Sequence, residues 1–176
     1  MVTAAVRDDE VTQTLAGLYA QNDTPWTPWL RTVTGLRIDQ FQAQVHGLLP
    51  ANPTFGSDSQ QLSPKLSVIL GPWAHTELFI NSGVGFHSND ARSTAPSASP
   101  VSGLTRSRGD EIGLRNQVSE TLQTAIALWR LRFDAELVYV GDAGTTEAGR
   151  PSQRQGVEWS TRWTPDPHFG LDANVA

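Results

Sequence analysis

Hydrophobic and polar residues alternate one by one along most of this chain. The clearest run is Leu122 to Tyr139. Trp129, Leu131, Phe133, Ala135, Leu137 and Tyr139 fall on one side of it, and Arg130, Arg132, Asp134 and Glu136 on the other. Side chains of an extended chain point to opposite faces with a period of two, so the run predicts one long strand with an apolar and a charged face. Seven further segments follow the same rule: Val11–Gln21, Trp29–Val45, Pro64–Leu70, His75–Phe86, Asp110–Asn116, Gln155–Trp163 and His168–Ala176. In the second of them Leu30, Leu36 and Ile38 oppose Arg31, Gly35, Arg37 and Asp39. Strands of soluble sandwiches run to about 5–6 residues, whereas a strand tilted across a bilayer needs about 9–11.

The connections between these segments alternate short and long. Asn22–Pro28, Gly71–Trp73, Gln117–Thr121 and Thr164–Pro167 are short; His46–Ser63, His87–Gly109 and Gly141–Arg154 are long and polar. Antiparallel barrels of the outer membrane have short turns at their periplasmic end and long loops outside. Four of the six tryptophans, Trp26, Trp29, Trp73 and Trp163, lie at or beside the short turns. There an amphipathic indole suits a membrane interface, its ring in the apolar layer and its N–H in water. The fold expected is all-β: an antiparallel up-and-down meander of about eight long strands, a segment of a transmembrane β-barrel.

Composition leaves that picture standing. The chain has 176 residues, 38% of them hydrophobic, and a mean hydropathy of −0.32. No run approaches the roughly 18 apolar residues of a spanning helix, but a barrel alternates and averages out as mildly polar. The net charge of −5 offers no basic stripe for nucleic acid. Without cysteine there is neither a disulfide framework nor a thiolate metal site. Residues 1–10, MVTAAVRDDE, lack the basic start and apolar run of a secretory leader. The expectation is either a cytoplasmic chain or an N-terminal part outside residues 1–176, and an outer-membrane location presupposes export.

Several motifs then occur in a telling order: GLYAQND (Gly17–Asp23), GLRID (Gly35–Asp39), SPKLSVIL (Ser63–Leu70), GFHSNDAR (Gly85–Arg92), EIGLRN (Glu111–Asn116) and ELVYVGDAGTTEAGRPSQRQGVEW (Glu136–Trp159). The series resembles successive barrel strands of TonB-dependent receptors, importers of iron chelates, cobalamin and similar scarce solutes. The resemblance implies a barrel of about 22 strands closed around a plug domain and energised through TonB. Residues 1–176 would supply about eight of those strands, without a plug, a TonB-contacting segment or an aromatic residue ending a last strand. Its implied partners are outer-membrane lipid, the remaining strands and plug of a full-length receptor, and TonB only through that plug. Cut from a larger barrel, such a run is expected to be an open curved sheet with two free edges. Hydrogen bonds from the first strand to the last would overturn that expectation.

Candidate chemistry is sparse. His87, Asn89, Asp90 and Arg92 cluster at the predicted base of an outer loop, where imidazole and carboxylate could bind a chelate. The competing reading is an Asn/Asp turn in which Asp90 pairs with Arg92. In the glycine-rich loop Gly141–Ser152, Asp142, Thr145, Thr146, Glu147 and Arg150 could touch ligand; the spacing is not that of a phosphate loop. Arg37, Asp39, Arg130, Arg132, Asp134 and Glu136, with Glu111, Arg115 and Glu158, are expected to line the lumen in cross-strand ion pairs. No catalytic arrangement, metal set or cofactor is indicated. Two other architectures compete: a soluble eight-stranded barrel holding a small ligand, with the Trp129 face inward, and a plug-less pore or structural barrel.

Overall fold

The structure is a computed structural model and describes residues 8–50, 52–95, 102–135, 137–140, 145–148 and 150–176. Among the described residues ten strands form: β1 Asp9–Thr27, β2 Leu30–Gly47, β3 Phe55–Trp73, β4 Thr76–Ser88, β5 Leu104–Ser119, β6 Leu122–Phe133, β7 Leu137–Val140, β8 Thr145–Ala148, β9 Ser152–Asp166 and β10 Phe169–Val175. Eight make one antiparallel meander in the order β1-β2-β3-β4-β5-β6-β9-β10, and β7 and β8 pair as a separate hairpin. The sheet is open, with β1 and β10 as its edges.

Four hairpins turn through two residues each: Pro28-Trp29, Ala74-His75, Glu120-Thr121 and Pro167-His168. Ala74 and His75 both have positive φ, 49° and 63°. Two successive residues of that kind match the right-handed twist of the strands they join. Backbone hydrogen bonds tie each turn to the next hairpin: Gly71 N donates to Trp29 O, Gln117 N to His75 O and Thr164 N to Thr121 O, all at 2.8–2.9 Å. The short turns thus share one rim.

Strands are longer, and long connections shorter, than alternation alone predicts. The polar stretch Gly56–Gln61 continues β3 rather than forming a loop, and β4 and β5 extend into the expected His87–Gly109 connection. Gly56–Gln61 is polar at every position, so alternation gives no signal for that part of β3.

Cross-strand register assigns every side chain to a face, because residues directly opposite point the same way. Two apolar rows cross four strands: Ile80, Ile112, Leu128, Val157, and Leu78, Leu114, Ile126, Trp159. Leu36 and Ile38, facing Pro64 and Leu62, extend this face into β2 and β3. The other face carries Arg37, Asp39, Lys65, Asn81, Glu111 and Arg115. The apolar side chains are not a core: Ile80, Ile112, Leu114, Ile126, Leu128 and Val157 are each 40–56% exposed. The total surface is 12202 Å², against about 8,400 Å² for a compact monomer of this mass. The excess is what a single sheet leaves uncovered.

The register corrects the expected faces of β6. Arg130 pairs with Asp110 and Gln155, Arg132 with Arg108 and Gln153, so both stand on the apolar-row side, opposite to Arg37 and Asp39. Trp129 faces Glu111 and Gly156, on the polar side. The predicted strand Leu122–Tyr139 is also two elements. It breaks after Phe133, with Asp134 in an exposed bend beyond the sheet; Glu136 lies outside the described residues. The reason is steric and lies on the neighbouring strands. The indole of Trp129 covers Gly156, where a Cβ would lie 2.8 Å from the ring, and the ring of Phe79 covers Gly113 at 2.4 Å. The polar face holds large rings where its partners are glycines.

A buried cluster of Phe41, Ala43, Val45, Ala91 and Leu104, flanked by Phe55 and Phe86, sits at the end away from the short turns. The β4–β5 connection, with one 3-10 turn at Ala91–Thr94, packs onto β2 and β3 to close it. Thr94 donates to Ser57 Oγ at 2.7 Å, Gly103 N to Ser59 Oγ at 3.2 Å, and a Cβ on Gly103 would strike the Phe41 ring.

Candidate functional site

The polar face is built from long central strands, and its charges are mostly satisfied by one another. Asp39 is fully buried, opposite Gly17, and takes Arg37 Nε at 2.8 Å and Nη2 at 2.7 Å. A carboxylate withdrawn from water needs such a fork-shaped partner. Gly17 leaves the room, since a Cβ there would fall 2.5 Å from Asp39 Oδ1. Farther along the face Arg115 lies 3.7 Å from Glu77, Asn81 donates to Glu111 at 3.4 Å, and Lys65 donates to Gln21 at 2.6 Å. Arg115 also stands over the Phe79 ring and Arg154 over Phe133, 5.6 and 5.4 Å from the centroids. Arg162 and Asp172 complete the row toward β10 at 3.8 Å. Pairing of this density makes a hydrated wall of mixed sign rather than a single-sign field.

The outer-loop candidates separate. His87 is exposed on the polar side of β4, opposite Thr105. Asn89 is buried and structural, donating to Ser102 O and Thr105 Oγ1, both at 2.8 Å. Asp90 caps the 3-10 turn, accepting from Arg92 N at 2.9 Å, and pairs with the Arg92 guanidinium at 3.0 and 3.1 Å. That pairing raises the Arg92 pKa above its usual value, the hydrogen bond contributing most. The turn therefore takes the form that the competing reading described. Among the described residues no three His, Cys, Asp or Glu side chains come together to hold a metal. Glu147 lies in β8 and Arg150 is exposed before β9, while Asp142 lies outside the described residues.

Trp26, Trp29, Trp73 and Trp163 are all exposed at the short-turn rim. Trp26 Nε1 donates to Thr32 Oγ1 at 2.8 Å, and Trp163 meets Phe169 edge-on at 5.9 Å. Trp159, on the face of its strand that alternation shares with Val157 and Trp163, stands in an apolar row and donates to Thr124 Oγ1 at 2.9 Å. Asn81, opposite the Leu78 and Ile80 side of its strand by alternation, stands on the polar face as expected, whereas Lys65, Arg162 and Asp172 were missed there. A register shift beside each two-residue turn, as between Leu70 and Trp73 or Phe169 and Leu171, defeats a count of parity outward from the turn.

One apolar face, one paired polar face and turns on a single rim are the parts of a membrane barrel wall. The family model for the TonB-dependent receptor-like β-barrel matches residues 2–176. The chain belongs to that family. Among curated proteins no sequence matches. Solved receptors share the fold at low identity. The ferric-catecholate import receptor Fiu of E. coli superposes with a TM-score of 0.72 at 15% identity, over 96% of this chain and 28% of that one. The alcaligin outer-membrane receptor FauA of Bordetella pertussis gives 0.69 at 17%, over 94% and 30%. The hemophore receptor HasR of Serratia marcescens gives 0.67 at 16%, over 92% and 33%. The chain thus spans about a third or less of each receptor. A soluble ligand-binding barrel is not favoured, because the neighbours are outer-membrane barrels and the sheet does not close on itself.

Proposed function

We propose that this chain forms a sector of the wall of an outer-membrane receptor that takes up a scarce solute, an iron chelate first among the candidates. The observation carrying the proposal is the division of one eight-stranded sheet into exposed apolar rows and a paired polar face. Lipid covers the first, and the plug and solute path face the second, with Arg37 and Asp39 in the lumen wall. The edges β1 and β10 take their partners from the remaining strands, because unpaired backbone groups in lipid cost several kcal/mol each. TonB acts only through the plug. At the loop end His87, Asp90, Arg92 and Arg150 are exposed for contact with the solute, and Asn89 holds the loop beside them. The short-turn tryptophans lie at the inner interface.

Residues 1–176 contain no cysteine, so with any cysteine elsewhere in the receptor replaced the test is direct. Single substitutions Ile112→Cys and Glu111→Cys occupy neighbouring positions of β5 on opposite faces. In the full receptor in outer-membrane preparations, a water-soluble maleimide should modify Glu111→Cys and spare Ile112→Cys. Reversed labelling would sink the proposal. Loss of radiolabelled ferric-chelate uptake on deleting the gene tests the solute class. Unchanged uptake across catecholate, hydroxamate and haem sources would refute it.

A further inference from the structure

Strand β3 loses β4 halfway along. Among the described residues their ladder ends at Lys65 opposite Gly83, although β3 runs on to Phe55 and β4 to Ser88. Pairing of β2 with β3 continues to Val45 opposite Phe55. Over that outer half the face of Arg37 and Asp39 turns apolar: Phe41, Ala43 and Val45 stand there, with Ser59 and Ser57 opposite the first two. Two arms of the β4–β5 connection, residues 89–94 and 102–104, lie on this patch. Ala91 and Leu104 complete the buried cluster, Ala91 with no exposed surface. The serines hold the arms, Ser57 Oγ accepting from Thr94 Oγ1 at 2.7 Å and Ser59 Oγ from Gly103 N at 3.2 Å. Gly103 permits the close approach, since a Cβ there would lie 2.5 Å from the Phe41 ring. The arms are also tied to each other. Asn89 N donates to Gly103 O at 2.9 Å, and its buried Nδ2 donates to Ser102 O and Thr105 Oγ1 at 2.8 Å.

Segments that open and close have few buried apolar contacts and keep their hydrogen bonds in water. These arms do the opposite. Lifting them would bare Phe41, Ala43 and Val45, now almost fully buried, to water on a face that has no other cover for them. Given the membrane orientation proposed above, on which this inference rests, the patch faces the lumen near its outer mouth. We propose that the β4–β5 connection is a fixed strap inside that mouth, docked on β2 and β3 throughout uptake rather than lifted as a lid. A layer packed on a sheet stands about 10 Å from it, so the strap narrows the mouth by about that much on the β2–β3 side. The passage is left beside β5, β6 and β9.

The full receptor in intact respiring cells, with any other cysteine replaced, tests the strap by two routes. Ala43→Cys should resist a water-soluble maleimide both at rest and when the cells are supplied with ferric catecholate, ferric hydroxamate or haem. Adding Ala91→Trp, which has no room beneath it, should speed that labelling at least about tenfold. Labelling of Ala43→Cys at rest or on addition of an iron source overturns the inference, and so does an unchanged rate with Ala91→Trp. In the second route Ser57→Cys and Thr94→Cys are joined by diamide oxidation. The cross-link should form and leave uptake of the radiolabelled chelates undiminished. No cross-link, or uptake that is lost on oxidation and restored by dithiothreitol, overturns the inference as well. Ile112→Cys separates the two layers of the argument. If it is spared while Ala43→Cys labels, the strap alone fails; if it labels freely, the membrane orientation fails and the narrowed mouth with it.

Discussion

The two halves of strand β2 carry their apolar residues on opposite faces. Toward the short turn, Leu30, Leu36 and Ile38 stand on the apolar-row side and Arg31, Arg37 and Asp39 on the other. Toward the loops, Gln40, Gln42 and Gln44 continue the first face, while Phe41, Ala43 and Val45 are buried on the second. Strand β6 repeats the switch: Leu122, Ile126 and Leu128 on one face, then Trp129, Leu131 and Phe133 on the other, after the apolar rows stop at Arg130. A strand that leaves lipid for water loses the reason for an apolar outer face. At the same level in β2 it gains, from the folded-back connection, a reason for an apolar inner one. From Leu30 to Ile38 the strand rises about 27 Å at about 3.4 Å per residue. Tilted by about 40°, that spans roughly 21 Å, close to the apolar band of such barrels.

The sharpest way to break this comparison is to place the same charge in both halves. Leu128→Arg, within the apolar rows, should cost the full receptor about 2–4 kcal/mol of stability in bilayers, read from urea-induced unfolding. Gln42→Arg, on the same face beyond the band, should change stability by less than about 0.5 kcal/mol. Equal costs would erase the boundary. A smaller effect is expected on the polar face. Gly113→Val puts a Cβ 2.4 Å from Phe79 and 2.5 Å from Ile126 O, and overpacking of that kind costs about 1–3 kcal/mol. Phe79→Ala in the same background should restore part of the loss, and no recovery would argue against ring-over-glycine packing. The smallest effect belongs to the loop. Arg92→Ala removes an exposed pair with Asp90 and should alter stability by at most about 1 kcal/mol, in the same unfolding measurement. A larger loss would mean that the 3-10 turn holds the Phe41 cluster together.

Legibility followed the solvent. The meander, the alternation of short and long connections and the rim of tryptophans could be read because lipid imposes a strict period of two between short turns. The Asp90–Arg92 turn was legible as one of two alternatives, since both partners lie within three residues. The faces of β6 were misread because its second half alternates as regularly as its first with the opposite parity, and charge beside a ring was taken as a lumen signature. The phase had to come from Ile112 and Leu114 on one side and Val157 and Trp159 on the other. The polar wall was half visible, through Arg37 and Asp39. Lys65 and Asp172 were missed because register shifts lie between them and the nearest short turns, so their faces follow only from the neighbouring strands.

By itself, then, the amino-acid sequence determined the class of the sheet, its strand count and the end at which its turns lie, because these depend on local period and turn chemistry. Which face of each strand meets lipid and where the apolar band stops were decided only by the tertiary structure. A side chain's face depends on the register of its neighbours, and register is a relation between strands that no single strand contains.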